Sequence, residues 1–279
     1  MDTPAWFRDA LAVPVTTGRI DVAGVGIATR AWDGPGTAGV LLVHGGAAHS
    51  RWWDHIAPVI AQDRPVVAMD LSGHGDSDRR THYDVDRWAE EVLEVRRRMG
   101  LRYVVGHSMG GLVTLHAAAI SPEPLAGVIA IDTPVRPLTT EEETLRGRTH
   151  RSYPTAAEAA SRFRPVPTQP ALPSVLDHVA HHSVHEVDGG WQWKWDASIF
   201  DHHSPALEML GELPGPGAFV FAEHGLVDDE MRQEALARLG PRMEAVDLPA
   251  AGHHAMLDQP VALTALLRAL LARFETQRP

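Results

Sequence analysis

The chain contains no cysteine among its 279 residues. Disulfide bonds and thiolate chemistry are therefore excluded, and the composition carries no sign of the redox compartment. The chain also lacks any run of about 18 apolar residues, the length that a membrane-spanning helix needs. Its first residues include an early acid and no apolar stretch of signal-peptide length. We therefore expect a cytoplasmic protein without a membrane span.

Basic residues are scarce as well, since 25 Lys and Arg stand against 36 Asp and Glu, for a formal net charge of -11. No cluster of Lys and Arg is dense enough to follow a phosphate backbone, so nucleic acid is not expected as a partner. The chain has no internal repeat and no low-complexity tract. The 44% share of hydrophobic residues suffices for a substantial core. We expect a monomer or homodimer that acts on a small molecule.

Short apolar runs recur along the chain, and helix-like stretches lie between them. Runs without polar alternation are typical of strands covered on both faces. Alternating strands and helices predict an α/β fold, with a mostly parallel central sheet and helices on both faces. Residues 18–32 are interpreted as an antiparallel pair at one edge, and Pro260 as the start of a final amphipathic helix. The apolar runs are Val40 to His44, Val66 to Asp70, Tyr103 to Gly106, Gly127 to Asp132 and Ala218 to Ala222.

This alternation stops between residues 133 and 210, where prolines, histidines and the string GGWQWKW occur. No apolar run of the core type appears there, and the pattern resumes afterwards. We interpret 133–210 as a mainly helical lid insertion in a core formed by 1–132 and 211–279. Because the insertion is rich in Trp, Leu and Pro and poor in Lys, it favours a small to medium apolar substrate.

One polar residue interrupts an apolar run, in the string VVGHSMGGLV at residues 104–113. A sharp strand-to-helix turn strains the backbone of its central residue and leaves room only for small residues two positions away on each side. Gly106 and Gly110 meet that requirement around Ser108. The turn would expose Ser108 at the start of a helix, where the helix dipole favours developing negative charge. Ser108 is therefore the candidate nucleophile.

A serine hydroxyl needs a base to take its proton, and the base needs an acid to orient it. For a turn of this kind the expected chain order is Ser, then acid, then His. Two adjacent histidines, His253 and His254, stand late in the chain. We prefer His253 as the base, because it directly follows Gly252.

Four short motifs follow one another along the chain. They are VHGG (Val43 to Gly46), DLSGHGDS (Asp70 to Ser77), GHSMGG (Gly106 to Gly111) and GHHAMLDQP (Gly252 to Pro260). In this order they resemble the α/β-hydrolase fold superfamily over most of the chain outside the insertion. The resemblance implies an oxyanion hole formed by the backbone N–H groups of Gly46 and Met109. It implies no cofactor and no metal.

The triad acid is the point where the sequence departs from the pattern of this superfamily. Many relatives carry an Asp shortly after the strand that corresponds to Ala218 to Ala222, and this chain has Gly225 in its place. Asp228 would serve if the loop were longer. Asp132, at the end of an earlier strand, would serve without any adjustment of a loop, and strand ends are rigid platforms for catalytic groups. We favour Asp132 and keep Asp228 as the alternative.

Three further residues are candidates for the substrate pocket: His44, Trp52 and Trp193. His44 is also expected to order the oxyanion loop. Trp52 and Trp53 begin a helix and, being adjacent, are not expected to face the core together. Trp193 stands between Trp191 and Trp195 at a spacing of two, so a strand there would place three rings on one face. That face is either an apolar wall over the cleft or a contact that fixes the insertion to the core.

A second group of histidines lies in the insertion. His178, His182 and His185 have spacings that would share one helix face and that are compatible with a metal site. No carboxylate or cysteine completes such a set at similar spacing, so we interpret them as packing or surface residues.

Together these features predict a serine hydrolase that cleaves a carboxylic ester, lactone or thioester through an acyl-enzyme. A serine at the turn argues against haloalkane dehalogenase or epoxide hydrolase chemistry, for which the resemblance implies a carboxylate nucleophile. Carbon–carbon bond hydrolysis and cofactor-free lyase chemistry use the same triad and remain open. A non-catalytic ligand-binding relative remains open as well.

Overall fold

The computed structural model describes residues 3–136, 151–201 and 207–276. Two sheets occur within these residues, a large central one and a two-stranded one. The strands are β1 (Thr16–Val22), β2 (Val25–Trp32), β3 (Val40–Val43), β4 (Val66–Met69), β5 (Tyr103–His107), β6 (Gly127–Ile131), β7 (Val184–Val187), β8 (Gly190–Trp193), β9 (Gly217–His224) and β10 (Met243–Gly252).

The central sheet has the strand order β1-β2-β4-β3-β5-β6-β9-β10. Strand β2 pairs antiparallel with both β1 and β4, whereas the remaining neighbours are parallel. The antiparallel pair predicted for residues 18–32 is thus β1 and β2, and β1 is the edge strand. All five predicted core runs are strands, within two residues at each end. β10 has no counterpart among the predicted runs, because Glu244 and Asp247 interrupt its apolar residues.

Helices cover the sheet on both faces. In β3, Leu41 and Val43 pack into one apolar cluster together with α3, α4 and α7, and Val40 and Leu42 pack into a second cluster with α1, α2 and α9. The predicted fold class is therefore confirmed. The helices are α1 (Ala5–Leu11), α2 (Ala57–Ile60), α3 (Val85–Arg98), α4 (Met109–Ile120), α5 (Ala156–Ser161), α6 (Pro173–His182), α7 (Asp229–Leu239), α8 (Ala255–Asp258) and α9 (Pro260–Thr276), with 3-10 turns at Ser50–Trp53 and Ala197–Phe200.

The sequence explains where several of these helices begin. Asp84 caps α3, since its side chain accepts a hydrogen bond from the backbone N–H of Arg87. Pro260 opens α9, as expected from its position. In the described part of the chain, no helix has both the length and the apolar character needed to cross a bilayer.

Residues 151–201, which we call the cap segment, lie within the predicted insertion. They contain α5, α6 and a hairpin of β7 and β8, so the described part is not helical alone. Strand β8 ends at Trp193, which means that Trp195 does not continue the row of rings expected for one strand. Residues 137–150 and 202–206 of the predicted lid lie outside the described residues. The assignment of 133–210 as a lid stays a prediction.

Candidate active site

Ser108 lies at the turn between β5 and α4, at the carboxyl end of the parallel strands. Its φ of 54° falls in the left-handed region, which is rare for a residue other than glycine. The Ser108 N–H donates to the carbonyl of Ile131 at 2.9 Å, and this bond to the neighbouring strand holds the strained turn. Ser108 is part-exposed, so its hydroxyl is accessible.

The glycines around Ser108 are required by close backbone contacts. A Cβ at Gly106 would lie 2.2 Å from the carbonyl oxygen of Gly110, and a Cβ at Gly110 would lie 2.1 Å from the carbonyl oxygen of His44. These are the two positions at which the sequence predicted small residues. Larger side chains would force the turn apart and would displace Ser108.

Ser108, His253 and Asp132 form a continuous hydrogen-bonded chain. The Ser108 hydroxyl lies 3.0 Å from Nε2 of His253, and Nδ1 of His253 lies 2.6 Å from Oδ2 of Asp132. Because a carboxylate accepts hydrogen bonds, Nδ1 carries the hydrogen and Nε2 is left to accept from the serine. His253 and Asp132 are both buried. The three side chains come from the carboxyl ends of β5, β10 and β6.

Asp132 is held rigidly in this position. Its φ is 40°, a second strained backbone position at the site. Its carboxylate also accepts from the backbone N–H of Leu226 at 2.8 Å and of Ala222 at 3.3 Å. β9 and the loop after it therefore bind Asp132 through backbone N–H groups.

The alternative acid, Asp228, lies elsewhere. It is exposed and caps α7, where its side chain accepts from the N–H of Met231 at 2.9 Å. Gly225, the residue in place of the usual Asp, lies directly against Asp132, and a Cβ there would come within 2.1 Å of Oδ1 of Asp132. An acid at position 225 and the observed Asp132 carboxylate therefore exclude each other.

The loop after β3 lies beside Ser108. A Cβ at Gly46 would lie 3.5 Å from Sδ of Met109, so the two predicted donors are close neighbours. Among the described residues, the N–H groups of Gly46 and Met109 have no hydrogen-bond acceptor. Ala47 has a φ of 56°, so this loop is strained as well. Two unpaired backbone donors near a nucleophile suit a developing oxyanion.

His44 orders this loop. Its Nδ1 donates to the carbonyl of Gly45 at 2.7 Å, and its Nε2 accepts from the N–H of Leu71 at 3.1 Å. Burial lowers the pKa of His44, although the nearby Asp70 opposes that shift. Both ring nitrogens are occupied by the backbone, so His44 has none to offer a substrate.

Trp52 and Trp193 are joined by Phe163 of the cap segment. The ring of Phe163 lies 6.1 Å from that of Trp52 and 6.1 Å from that of Trp193, between centroids. Trp193 also contacts Tyr153 at 6.2 Å. The expectation that Trp52 and Trp53 do not both face the core is wrong, since both are buried. The cap segment covers Trp52 and so removes the solvent-exposed side that an isolated helix would have.

Sequence reasoning missed Gln169, which fastens the cap segment to the loop of His253. Its Oε1 accepts from the backbone N–H of His254 at 2.8 Å, and its Nε2 donates to Asp258 at 2.9 Å. Asp258 in turn accepts from the N–H of Gly252 at 2.6 Å, and burial raises the pKa of its carboxyl. The surrounding string RPVPTQP has no feature that singles out this glutamine.

The three histidines considered for a helical metal site do not share a helix face. His178 and His182 lie in α6, but this helix ends at His182, and His185 lies in β7. His178 instead donates to the buried Asp54 at 3.0 Å, and Asp54 also pairs with Arg30 at 2.9 Å. His178 is therefore a polar contact between the cap segment and the core.

Known proteins resemble this chain in sequence and in fold. The model of the alpha/beta hydrolase family matches residues 40–266. An esterase of Mycobacterium tuberculosis is 27% identical over 88% of this chain and 86% of its own length. Lipase LipV of the same organism is 28% identical, over 85% of this chain and 94% of its own. The thioesterase domain of the curacin biosynthetic pathway superposes with a TM-score of 0.75 at 26% identity, covering 91% of this chain and 99% of that domain.

The family match runs from β3 into the first part of α9 and includes all four motifs singled out in the sequence. The resemblance predicted from those motifs is therefore confirmed. The chain belongs to the alpha/beta hydrolase family and is a hydrolase enzyme of that fold.

Proposed function

We propose that this protein is a serine hydrolase that cleaves a small to medium apolar carboxylic ester, lactone or thioester through an acyl-enzyme. The observation that carries the proposal is the chain of hydrogen bonds from the Ser108 hydroxyl through His253 to Asp132. It is the arrangement that activates a serine, and it occurs beside two unpaired backbone donors.

In the first step, Nε2 of His253 takes the hydroxyl proton as Ser108 Oγ attacks the substrate carbonyl carbon. The carbonyl oxygen becomes an oxyanion and accepts hydrogen bonds from the N–H groups of Gly46 and Met109. Asp132 holds the imidazole in its orientation and stabilises the imidazolium. The protonated His253 then gives its proton to the leaving alcohol or thiol, and the acyl group stays on Ser108.

In the second step, a water molecule gives a proton to His253 and attacks the acyl carbon. The second tetrahedral intermediate collapses, the proton returns to Ser108 Oγ, and the carboxylic acid leaves. Each step uses His253 once as base and once as acid, so the enzyme is regenerated without a cofactor.

The aromatic side chains of the cap segment support an apolar substrate. Phe163 lies between Trp193 and Trp52, and the ring of Trp52 also contacts His254 at 5.3 Å, next to the proposed base. We propose that residues 133–210 act as a lid that supplies this wall. The esterase, lipase and thioesterase relatives support acyl transfer from oxygen or sulfur. A cytoplasmic location and a monomeric or dimeric state stay predictions.

The test is labelling with a fluorophosphonate, which reacts with activated serines, combined with hydrolysis of p-nitrophenyl esters of increasing acyl length. We expect wild type to be labelled and to prefer esters with apolar acyl chains, and Ser108→Ala to lose both labelling and hydrolysis. The loss in kcat should be roughly 10⁴-fold or more. A folded wild-type protein that is neither labelled nor active would support a ligand-binding relative instead.

A further inference from the structure

Three imidazole rings lie next to one another beside the proposed nucleophile. They belong to His107, His253 and His254. Their ring centroids are 4.6 to 5.4 Å apart. One ring nitrogen from each residue lies within 4.8 Å of those from the other two, and all three residues are buried. The catalytic scheme above uses only His253. His107 and His254 are therefore two buried imidazoles without a role in the reaction.

Hydrogen bonds determine which nitrogen carries the proton in each ring. His107 Nε2 lies 2.8 Å from the carbonyl of His253, and His254 Nε2 lies 3.0 Å from the carbonyl of Val166. Carbonyl oxygens only accept, so both Nε2 atoms carry hydrogen and both Nδ1 atoms carry a lone pair. In the described part of the chain, both Nδ1 atoms are buried without a hydrogen-bond partner. Such an atom normally incurs a desolvation cost.

Histidines that bind metals share this pattern. The ligating nitrogen has a lone pair, and the other nitrogen donates to a carbonyl or a carboxylate that orients the ring. His107 and His254 donate to carbonyls, and His253 donates to Asp132. Burial, together with the neighbouring His253, holds the pKa of His107 and of His254 well below the usual value.

We propose that His107, His253 and His254 form an inhibitory site for a divalent transition-metal ion such as Zn²⁺. Imidazole ligands suit zinc, copper and nickel, whereas calcium and magnesium require oxygen ligands, and the Asp132 carboxylate is already occupied. Three nitrogens bound to one zinc lie about 3.4 Å apart, so the rings would draw together on binding.

Inhibition follows from the identity of one ligand and rests on the proposed function. The ion takes the lone pair of His253 Nε2, which otherwise accepts the Ser108 hydroxyl proton. No proton is then transferred, and the serine stays a neutral alcohol. Since Ser108 is part-exposed, the ion would enter from the side of the substrate.

The experiment measures zinc binding by isothermal titration calorimetry and zinc inhibition of ester hydrolysis, on wild type and on four variants. His107→Gln and His254→Gln each remove one ligand. His181→Gln is the matched control, because His181 is exposed on α6 and bonds to Asp177 of its own helix. His182→Gln tests the other histidine group. Activity with zinc is compared with activity without zinc for each variant.

We expect one ion per chain in wild type, inhibition that EDTA reverses, and no inhibition by magnesium. Loss of a ligand should weaken zinc binding by about tenfold or more in His107→Gln and His254→Gln. His181→Gln and His182→Gln should match wild type. Absence of zinc binding in wild type, or equal inhibition of all variants by zinc, would overturn the proposal. A loss of zinc binding in His182→Gln alone would overturn it as well.

Calorimetry on Ser108→Ala separates this proposal from the proposed function. Unchanged zinc binding there shows that the site does not depend on the reaction. If wild type binds zinc at His107 and His254 but hydrolyses no ester, the metal site stands and the hydrolase assignment fails. If wild type hydrolyses esters but binds no zinc, the reverse holds.

Discussion

The central sheet and the cap segment place side chains at the same site in different ways. The strands that precede Ser108 and Asp132 are buried along their whole length, whereas every residue of β8 is half-buried. The core positions its groups by strained backbone and close packing. The cap segment is attached by individual polar contacts, such as Gln169 with His254 and His178 with Asp54. Substitutions in the core should therefore reduce activity strongly, and substitutions at the cap contacts should reduce it less.

The largest effect is expected from Asp132→Asn. An amide at this position no longer holds the tautomer in which Nε2 of His253 accepts the serine proton, so kcat should fall by roughly 10⁴-fold with the fold intact. Asp228→Asn is the matched control and should retain full activity, because Asp228 only caps α7. Steady-state kinetics and fluorophosphonate labelling of both variants measure this. The opposite ranking would assign the acid to Asp228.

Next in size is Gly225→Ala, a single added methyl group. Its Cβ would overlap the Asp132 carboxylate and displace the acid from His253. A displacement on the order of 1 Å costs about 100-fold in kcat, and the melting temperature should fall as well. Gly211→Ala is the control, because a Cβ there meets nothing within 4 Å. Equal activity of the two variants would show that the loop after β9 yields without moving the acid.

A third effect concerns the loss of stability of the fold at low pH. Burial lowers the pKa of His55 to about 4, with His178 and Asp54 as its charged or titratable neighbours. The unfolded chain therefore binds more protons than the folded one between pH 6.5 and about 4, so stability is full above pH 6.5 and is lost as the pH falls. At pH 5 this one group costs about 2 kcal/mol.

The melting temperature of His55→Gln should consequently fall less between pH 7.5 and pH 5 than that of wild type. His181→Gln, an exposed change on the cap segment, should keep the slope of wild type. Scanning calorimetry at several pH values distinguishes them. If the melting temperature depended on pH equally in all three proteins, groups other than His55 would be responsible for the loss of stability in acid.

The smallest effect is expected from cutting one cap contact. Gln169→Ala removes the bonds to His254 and Asp258, so the loop of His253 gains freedom, and kcat should fall by about tenfold with KM little changed. Gln192→Ala, which removes only an exposed bond to Ser152, should leave kcat unchanged. A loss of stability in Gln169→Ala without a change in kcat would reduce this glutamine to a structural role.

The sequence predicted the parts of the fold that repeat a pattern. Apolar runs identified the five core strands, and glycines two positions either side of Ser108 identified its turn. The contacts of the cap segment could not be predicted in this way, because they are made with residues that are distant in sequence. Trp52 packs against Phe163, and Gln169 binds the backbone of His254, and neither partner is close to it in sequence.

The choice of acid was open for a related reason. Residue patterns placed both Asp132 and Asp228 near the carboxyl ends of the parallel strands. Only three-dimensional proximity shows which one reaches His253. The absence of a side chain at Gly225 was visible in the sequence, but its cause, the Asp132 carboxylate pressed against it, was not.

The contact between Gly225 and Asp132 also constrains the evolution of this enzyme. An Asp at position 225 cannot be introduced while Asp132 keeps its present pose, and Asp132 cannot adopt that pose beside an existing acid at 225. An acid at position 225 therefore requires Asp132 to move or to be replaced. We therefore expect Gly225→Asp alone to displace Asp132 from His253, although an acid at either position could serve the same histidine.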